Sequence, residues 1–178
     1  MKGIVFTEFL EMVEDKFGLQ TVNDIIENSN LKSEGIYTSI GTYNHMEIMD
    51  LVKNLSLIID VPEKNLFHVY AEYFYKRLVE LYPQFFEGVQ SPFELLVSVD
   101  AHIHKEVKKL YPDAELPRFE TDVKGDLLVM DYSSERRMSD FAFGLIKACM
   151  DHYEVQHDIE VMPLEDSHSK VRFIIKMK

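Results

Sequence analysis

Residues 124–146 read KGDLLVMDYSSERRMSDFAFGLI, and the chain changes character inside them. Lys124-Gly125 is a turn signal, and Asp126 to Tyr132 follows as an apolar run of strand length. The polar cluster Ser133-Ser134-Glu135-Arg136 separates that run from Met138 to His152, where Phe141, Leu145, Ile146 and Cys149 recur at helical spacing. Upstream the period is helical throughout. Ile4, Phe6, Phe9, Leu10, Val13 and Phe17 form a first helix that Gly18 stops. A short helix is expected around Thr21 to Glu27, then a polar loop near Asn28 to Gly41, then a helix from His45 to about Ile59. Asp60 and Pro62 read as the capped start of a fourth helix carrying Leu66, Phe67, Tyr70, Phe74 and Leu78 as far as Pro83. Ser91-Pro92 opens a fifth, which runs to Leu110 before Pro112 ends it. Downstream the period is two: Phe119 to Val123 is the expected hairpin partner of Asp126 to Tyr132, and His157 to Met162 and Val171 to Met177 close the chain. The fold class is therefore α+β, a helical N-terminal half followed by a small antiparallel sheet with an inserted helix.

The 178 residues suit one domain, 1–178. Lys plus Arg number 19 against 31 Asp plus Glu, a net charge of -12, which is the wrong sign for displacing counterions from nucleic acid or for docking on an anionic membrane. Cys149 is the single cysteine, so an intramolecular disulfide and a cysteine-rich zinc site are both excluded. Acids interrupt the apolar residues of the amino terminus, and no run approaches the ~18 apolar residues of a membrane span, so the expected location is cytoplasmic. The apolar supply is bulky, with 12 Phe, 9 Tyr, 9 Met and no Trp. An ordinary core accommodates that, and so do walls around a large flat ligand.

Seven histidines invite a metal site, His102-Ile103-His104 most of all. On a helix the pair sits about 200° apart and cannot chelate one ion. His104 falls in the apolar stripe with Phe93, Leu96, Val97, Asp100, Val107 and Tyr111, where a buried imidazole needs either a ligand or a hydrogen-bond partner. His102 falls on the wet side. A second cluster is Tyr132, Ser134 and Arg136. In an extended segment these would emerge on one face, offering two hydroxyls and a guanidinium fork suited to carboxylates.

In order and spacing these two clusters resemble the heme nitric oxide/oxygen-binding family, H-NOX, also found as the sensor domain of soluble guanylate cyclases. Met1-Lys2-Gly3, His104 followed by Tyr111-Pro112, Leu116-Pro117, the Tyr132-x-Ser134-x-Arg136 signature and Gly144-Leu145-Ile146 carry the resemblance across nearly the whole chain. It implies heme b (protoporphyrin IX iron) buried between the two halves, a distal helical part of about 1–60 and a proximal part of about 61–178. His104 would be the iron ligand. Tyr132, Ser134 and Arg136 would hold the propionates, and Pro117 would press on the macrocycle. At the distal positions where oxygen-binding members place donors, the matching residues are Phe9, Phe74 and Phe141. Tyr70 and Tyr73 are expected to turn away from Phe74. The resemblance implies binding of nitric oxide and carbon monoxide, not oxygen, and Fe-His104 rupture as the signal. Output is expected in trans, to a histidine kinase or a cyclic-di-GMP enzyme (a diguanylate cyclase or phosphodiesterase). A heme-free interaction module with the same fold is the alternative. A peroxidase is disfavoured because the phenylalanines supply no distal base, and Cys149 reads as an inert buried thiol rather than a redox sensor.

Overall fold

The computed structural model describes residues 1–167 and 169–178, so His168 lies outside it. Helix α1 (Ile4–Phe17) ends at Gly18, whose φ of 85° only glycine adopts without strain. Helix α2 (Leu19–Asn28) starts earlier than its apolar residues suggest. Helix α3 (His45–Ile59) is capped by Asn44, whose side chain accepts the Met46 N–H at 3.0 Å. Asp60 does not cap the next helix. It takes a left-handed conformation (φ 54°, ψ 45°) and terminates α3, while α4 (Glu63–Leu81) begins after Pro62 with no side-chain cap. An aspartate can fill either place, since its short side chain tolerates the left-handed region.

The fifth helix has the expected ends and an unexpected middle. Helix α5 (Pro92–Ser98), capped by the Ser91 hydroxyl, passes into a π-turn over Val99–Ile103 and resumes as α6 (His104–Leu110). The π-turn lies immediately before His104. Strands β1 (Arg118–Lys124) and β2 (Leu127–Ser133) form the hairpin, α7 (Ser139–His152) follows, and β3 (His157–Pro163) and β4 (Lys170–Met177) complete an antiparallel sheet of order β1-β2-β4-β3. Leu128, Met130 and Tyr132 of β2 pair with Ile175, Phe173 and Val171 of β4, so six inward side chains form one apolar face.

Two buried clusters result. One joins α1, α2 and α3 to Leu66, Phe67, Tyr70 and Phe74 of α4. The other joins the sheet to α5, α7 and Tyr75, so α4 belongs to both. Helices α4 and α7 meet at Gly144, where a Cβ would lie 2.5 Å from that of Ala71 and 3.1 Å from the His68 Cα. Only glycine permits that approach. Among the described residues no helix is long and apolar enough to cross a membrane.

Candidate functional site

His104 opens α6, and its side chain is 16% exposed. Burial is the largest influence on its imidazole and lowers its proton affinity, against the opposing pull of Asp100. The ring is therefore neutral near pH 7, with a lone pair to give. Its Nδ1 lies 3.3 Å from Asp100 Oδ1, and the Pro117 carbonyl also faces the ring. Among the described residues no three His, Cys, Asp or Glu side chains gather to hold a metal ion. An ion bound at His104 would need most of its ligands from elsewhere, as iron in a porphyrin does.

From His104 a line of rings leads into the sheet. Phe119 lies 6.0 Å from the imidazole and 5.6 Å from Tyr132, centroid to centroid, and Phe119 and Tyr132 are register partners across β1 and β2. The buried Tyr132 hydroxyl accepts the Met138 N–H at 3.1 Å. Ser134 and Arg136 are not in an extended segment. β2 ends at Ser133 and the chain turns: the Ser134 hydroxyl accepts the Arg136 N–H at 3.2 Å, and the Ser134 carbonyl accepts the Arg137 N–H at 3.3 Å. A serine hydroxyl competes for nearby backbone donors in this way, and the turn sets the direction of Arg136 that a strand would have set otherwise.

Arg136 reaches a cavity of about 320 Å3 lined also by Met1, Lys2, His45 and Glu115. Its guanidinium is 13% exposed and 3.4 Å from the Glu115 carboxylate. The amino terminus is drawn in by several contacts. Met1 donates its ammonium to the Tyr43 carbonyl at 2.7 Å, while Lys2 at 3.2 Å and Thr42 at 2.9 Å both hold Asp113 in the loop after α6. Burial and then the Arg136 charge lower the proton affinity of both the Met1 amine and His45. The Met1 ammonium, Lys2 and Arg136 give this cavity hydrogen-bond donors that carry positive charge, beside the carboxylates of Asp113 and Glu115.

On the helical side, Phe9 is fully buried, Phe74 is 6% exposed and Phe141 is partly buried beside them. Tyr70 does not turn away from them. Residues four apart on a helix lie only about 40° apart, and Tyr70 is within 5.6 Å of Phe74, 5.2 Å of Phe9 and stacked 4.9 Å from Phe141. Its hydroxyl donates to the Val5 carbonyl at 2.5 Å, so the phenol in this aromatic group is already committed. The two sides connect at the start of α7: Met138, bonded to Tyr132, packs with the helical cluster one turn before Phe141.

The sequence singled out His104, the cluster Tyr132, Ser134 and Arg136, and Phe9, Phe74 and Phe141; the structure gathers the three phenylalanines in one aromatic group and sets Arg136 apart from Tyr132, at the cavity. Asp100 was visible in the stripe, and its i, i+4 spacing to His104 was the available signal. Met1 and His45 are too remote in sequence from Arg136 to be read from spacing. His102 is exposed, as expected. Cys149 is 1% exposed and burial pushes its thiol up to about 12, which removes the thiolate that redox sensing needs.

A largely buried neutral imidazole, a line of aromatic rings and a cavity lined by the Met1 ammonium, Lys2 and Arg136 suit a flat ligand that carries carboxylates. The family model described as Haem-NO-binding matches residues 2–161, and the chain belongs to this family, H-NOX, a heme-based gas-sensor domain. Its cofactor is heme. The chain is 44% identical to the Fe(II) unliganded H-NOX protein from K. algicida, with a TM-score of 0.94 over 100% of this chain and 97% of that one. It is 37% identical to the H-NOX from Shewanella woodyi solved in the Fe(II)CO state with IWP-051, with a TM-score of 0.86 over 100% and 95%. The H-NOX protein from S. oneidensis in the Fe(II)NO state, at 22% identity and a TM-score of 0.90 over 100% and 99%, shows the shared fold. No curated protein matches the chain.

Proposed function

We propose that this chain is a nitric oxide sensor, not an enzyme, whose heme b is held by His104 at the iron and by Tyr132, Ser134 and Arg136 at the propionates. The observation that supports this is the meeting of the Met1 ammonium, Lys2 and Arg136 at one cavity, since two propionates would supply the carboxylates that such donors take. His104 supplies the neutral nitrogen and Pro117, beside it, presses on the macrocycle. Bound heme would supply a ferrous iron able to take nitric oxide or carbon monoxide. Phe9, Phe74 and Phe141 offer no hydrogen to a bound gas and Tyr70 has given its own to Val5, so oxygen, which needs such a donor, gains no stabilisation.

His104 is also the tether. With heme bound, nitric oxide would weaken the bond between the iron and His104, and its release would free α6 and the Pro117 loop. The helices of residues 1–60 then shift against the remainder, and the two arrangements differ in affinity for a cytoplasmic partner in trans, a histidine kinase or a cyclic-di-GMP enzyme. An absorption spectrum of the reduced, anaerobic protein tests the whole. Shifts of the main heme band with nitric oxide and with carbon monoxide, the former to a five-coordinate spectrum, and no stable oxy form in air are expected. Protein that is colourless and refuses hemin, or that forms a lasting oxy spectrum, overturns it.

A further inference from the structure

The carboxylate of Asp100 stands out in its surroundings. It follows the buried Phe93 and Leu96 along the same helical stripe, where its side chain is 39% exposed, and among the described residues it has one polar side-chain partner, the His104 Nδ1 at 3.3 Å. The π-turn Val99–Ile103 contains Asp100 and ends at His104, so the two residues flank an irregularity in an otherwise continuous helix. Such insertions carry a backbone cost and recur at functional sites. A carboxylate can only accept from the imidazole N–H. Its position therefore selects the tautomer with the proton on Nδ1, and Nε2 is left bare.

We infer that Asp100 is a positioning residue for the iron ligand: by accepting the Nδ1–H it holds His104 with Nε2 free, and it strengthens Nε2 as a donor, which sets how readily the tether lets go. This rests on the heme reading above. The physical reason is general. A metal-bound histidine whose other N–H is held by a carboxylate gains imidazolate character and binds the metal more firmly, and removal of such a partner costs about 10–100-fold in metal affinity or function. The Pro117 carbonyl, a weaker neutral acceptor, faces the same ring. D100N and D100A should weaken the bond without abolishing it.

Two measurements on the full chain test the inference separately from the heme reading. In heme-free protein labelled with 15N-histidine, His104 should show the Nδ1–H tautomer, and D100A should shift the population toward Nε2–H. In the ferrous, gas-free protein, the iron–histidine stretching band should move to lower wavenumber in D100A, with D100N between it and the wild type. Conversion of the nitric oxide complex to five-coordinate iron should be about 10-fold faster in D100A. A tautomer unchanged in D100A, or a stretching band that stays in place in both variants, overturns the role of Asp100 even if heme binds normally. Failure of the wild type to take up heme overturns the reading beneath it, and the tautomer measurement still decides whether Asp100 governs the ring.

Discussion

The His104 region and the Phe74–Phe141 region differ in how they use polar groups. Around His104 the helix is broken by a π-turn and a carboxylate reaches an imidazole, while the Met1 ammonium, Lys2 and Arg136 line a cavity together with Asp113 and Glu115. Around Phe74 and Phe141 the rings pack on one another and the adjoining Tyr70 phenol is satisfied by a backbone carbonyl. The first region offers polar groups to a ligand; the second is lined by rings. The two apolar clusters are separate and share α4 and α7. On the function proposed above, the first region would anchor the cofactor and the second would withhold a hydrogen-bond donor from oxygen.

Replacing the anchor should have the largest effect. His104→Gly should lose its heme during purification and regain it when imidazole is supplied, with the regained form resembling the released state. Absorption at the main heme band reads both. Next, Arg136→Ala removes one charged hydrogen-bonding partner, worth about 1.5–3 kcal/mol, so hemin affinity should fall about 10–100-fold. Pigment lost on a desalting column and a hemin titration measure that loss, and unchanged retention would mean that Arg136 is a surface residue paired with Glu115. On the other side, Phe141→Tyr adds the missing donor and should convert an undetectable oxygen complex into a measurable one in an air-equilibrated spectrum. If it does not, the Phe141 edge does not face the gas.

The smallest effect is one of pH. His45, His68 and His104 all have proton affinity lowered by burial from the ordinary value of 6.5. The unfolded chain then takes up protons before the folded one does, so stability is fully present above 6.5 and declines as pH falls below it. Urea midpoints should drop between pH 7 and pH 5. His104→Gly should flatten part of the decline, and heme retention should fall over the same range because protonation removes the lone pair.

Much of the architecture was legible because periodicity is local. Helix α3 has the ends that its apolar spacing and His45 imply, and β4 alternates as Val171, Phe173 and Ile175 require. The misreadings were of a different kind. Asp60 terminates one helix instead of starting the next, and Ser134 to Arg136 is a turn instead of a strand end. In each case a short polar side chain has two local hydrogen-bonding solutions of similar energy, and packing selects between them. Tyr70 was misplaced by geometry alone, since an i, i+4 pair shares a face.

The order of residues by itself determined which side chains could serve: a lone histidine in an apolar stripe, a tyrosine, serine and arginine after a strand, and phenylalanines where a donor would otherwise stand. The first two follow from periods of two and 3.6, which the chain carries locally; the phenylalanine positions are what the resemblance to the family implies. Only the tertiary structure decided that the Met1 amine and His45 join Arg136, that Tyr70 spends its hydroxyl on Val5, and that a π-turn precedes His104 with Asp100 at its ring. Such pairings depend on which distant surfaces pack together, and that is settled by burial of the whole chain at once.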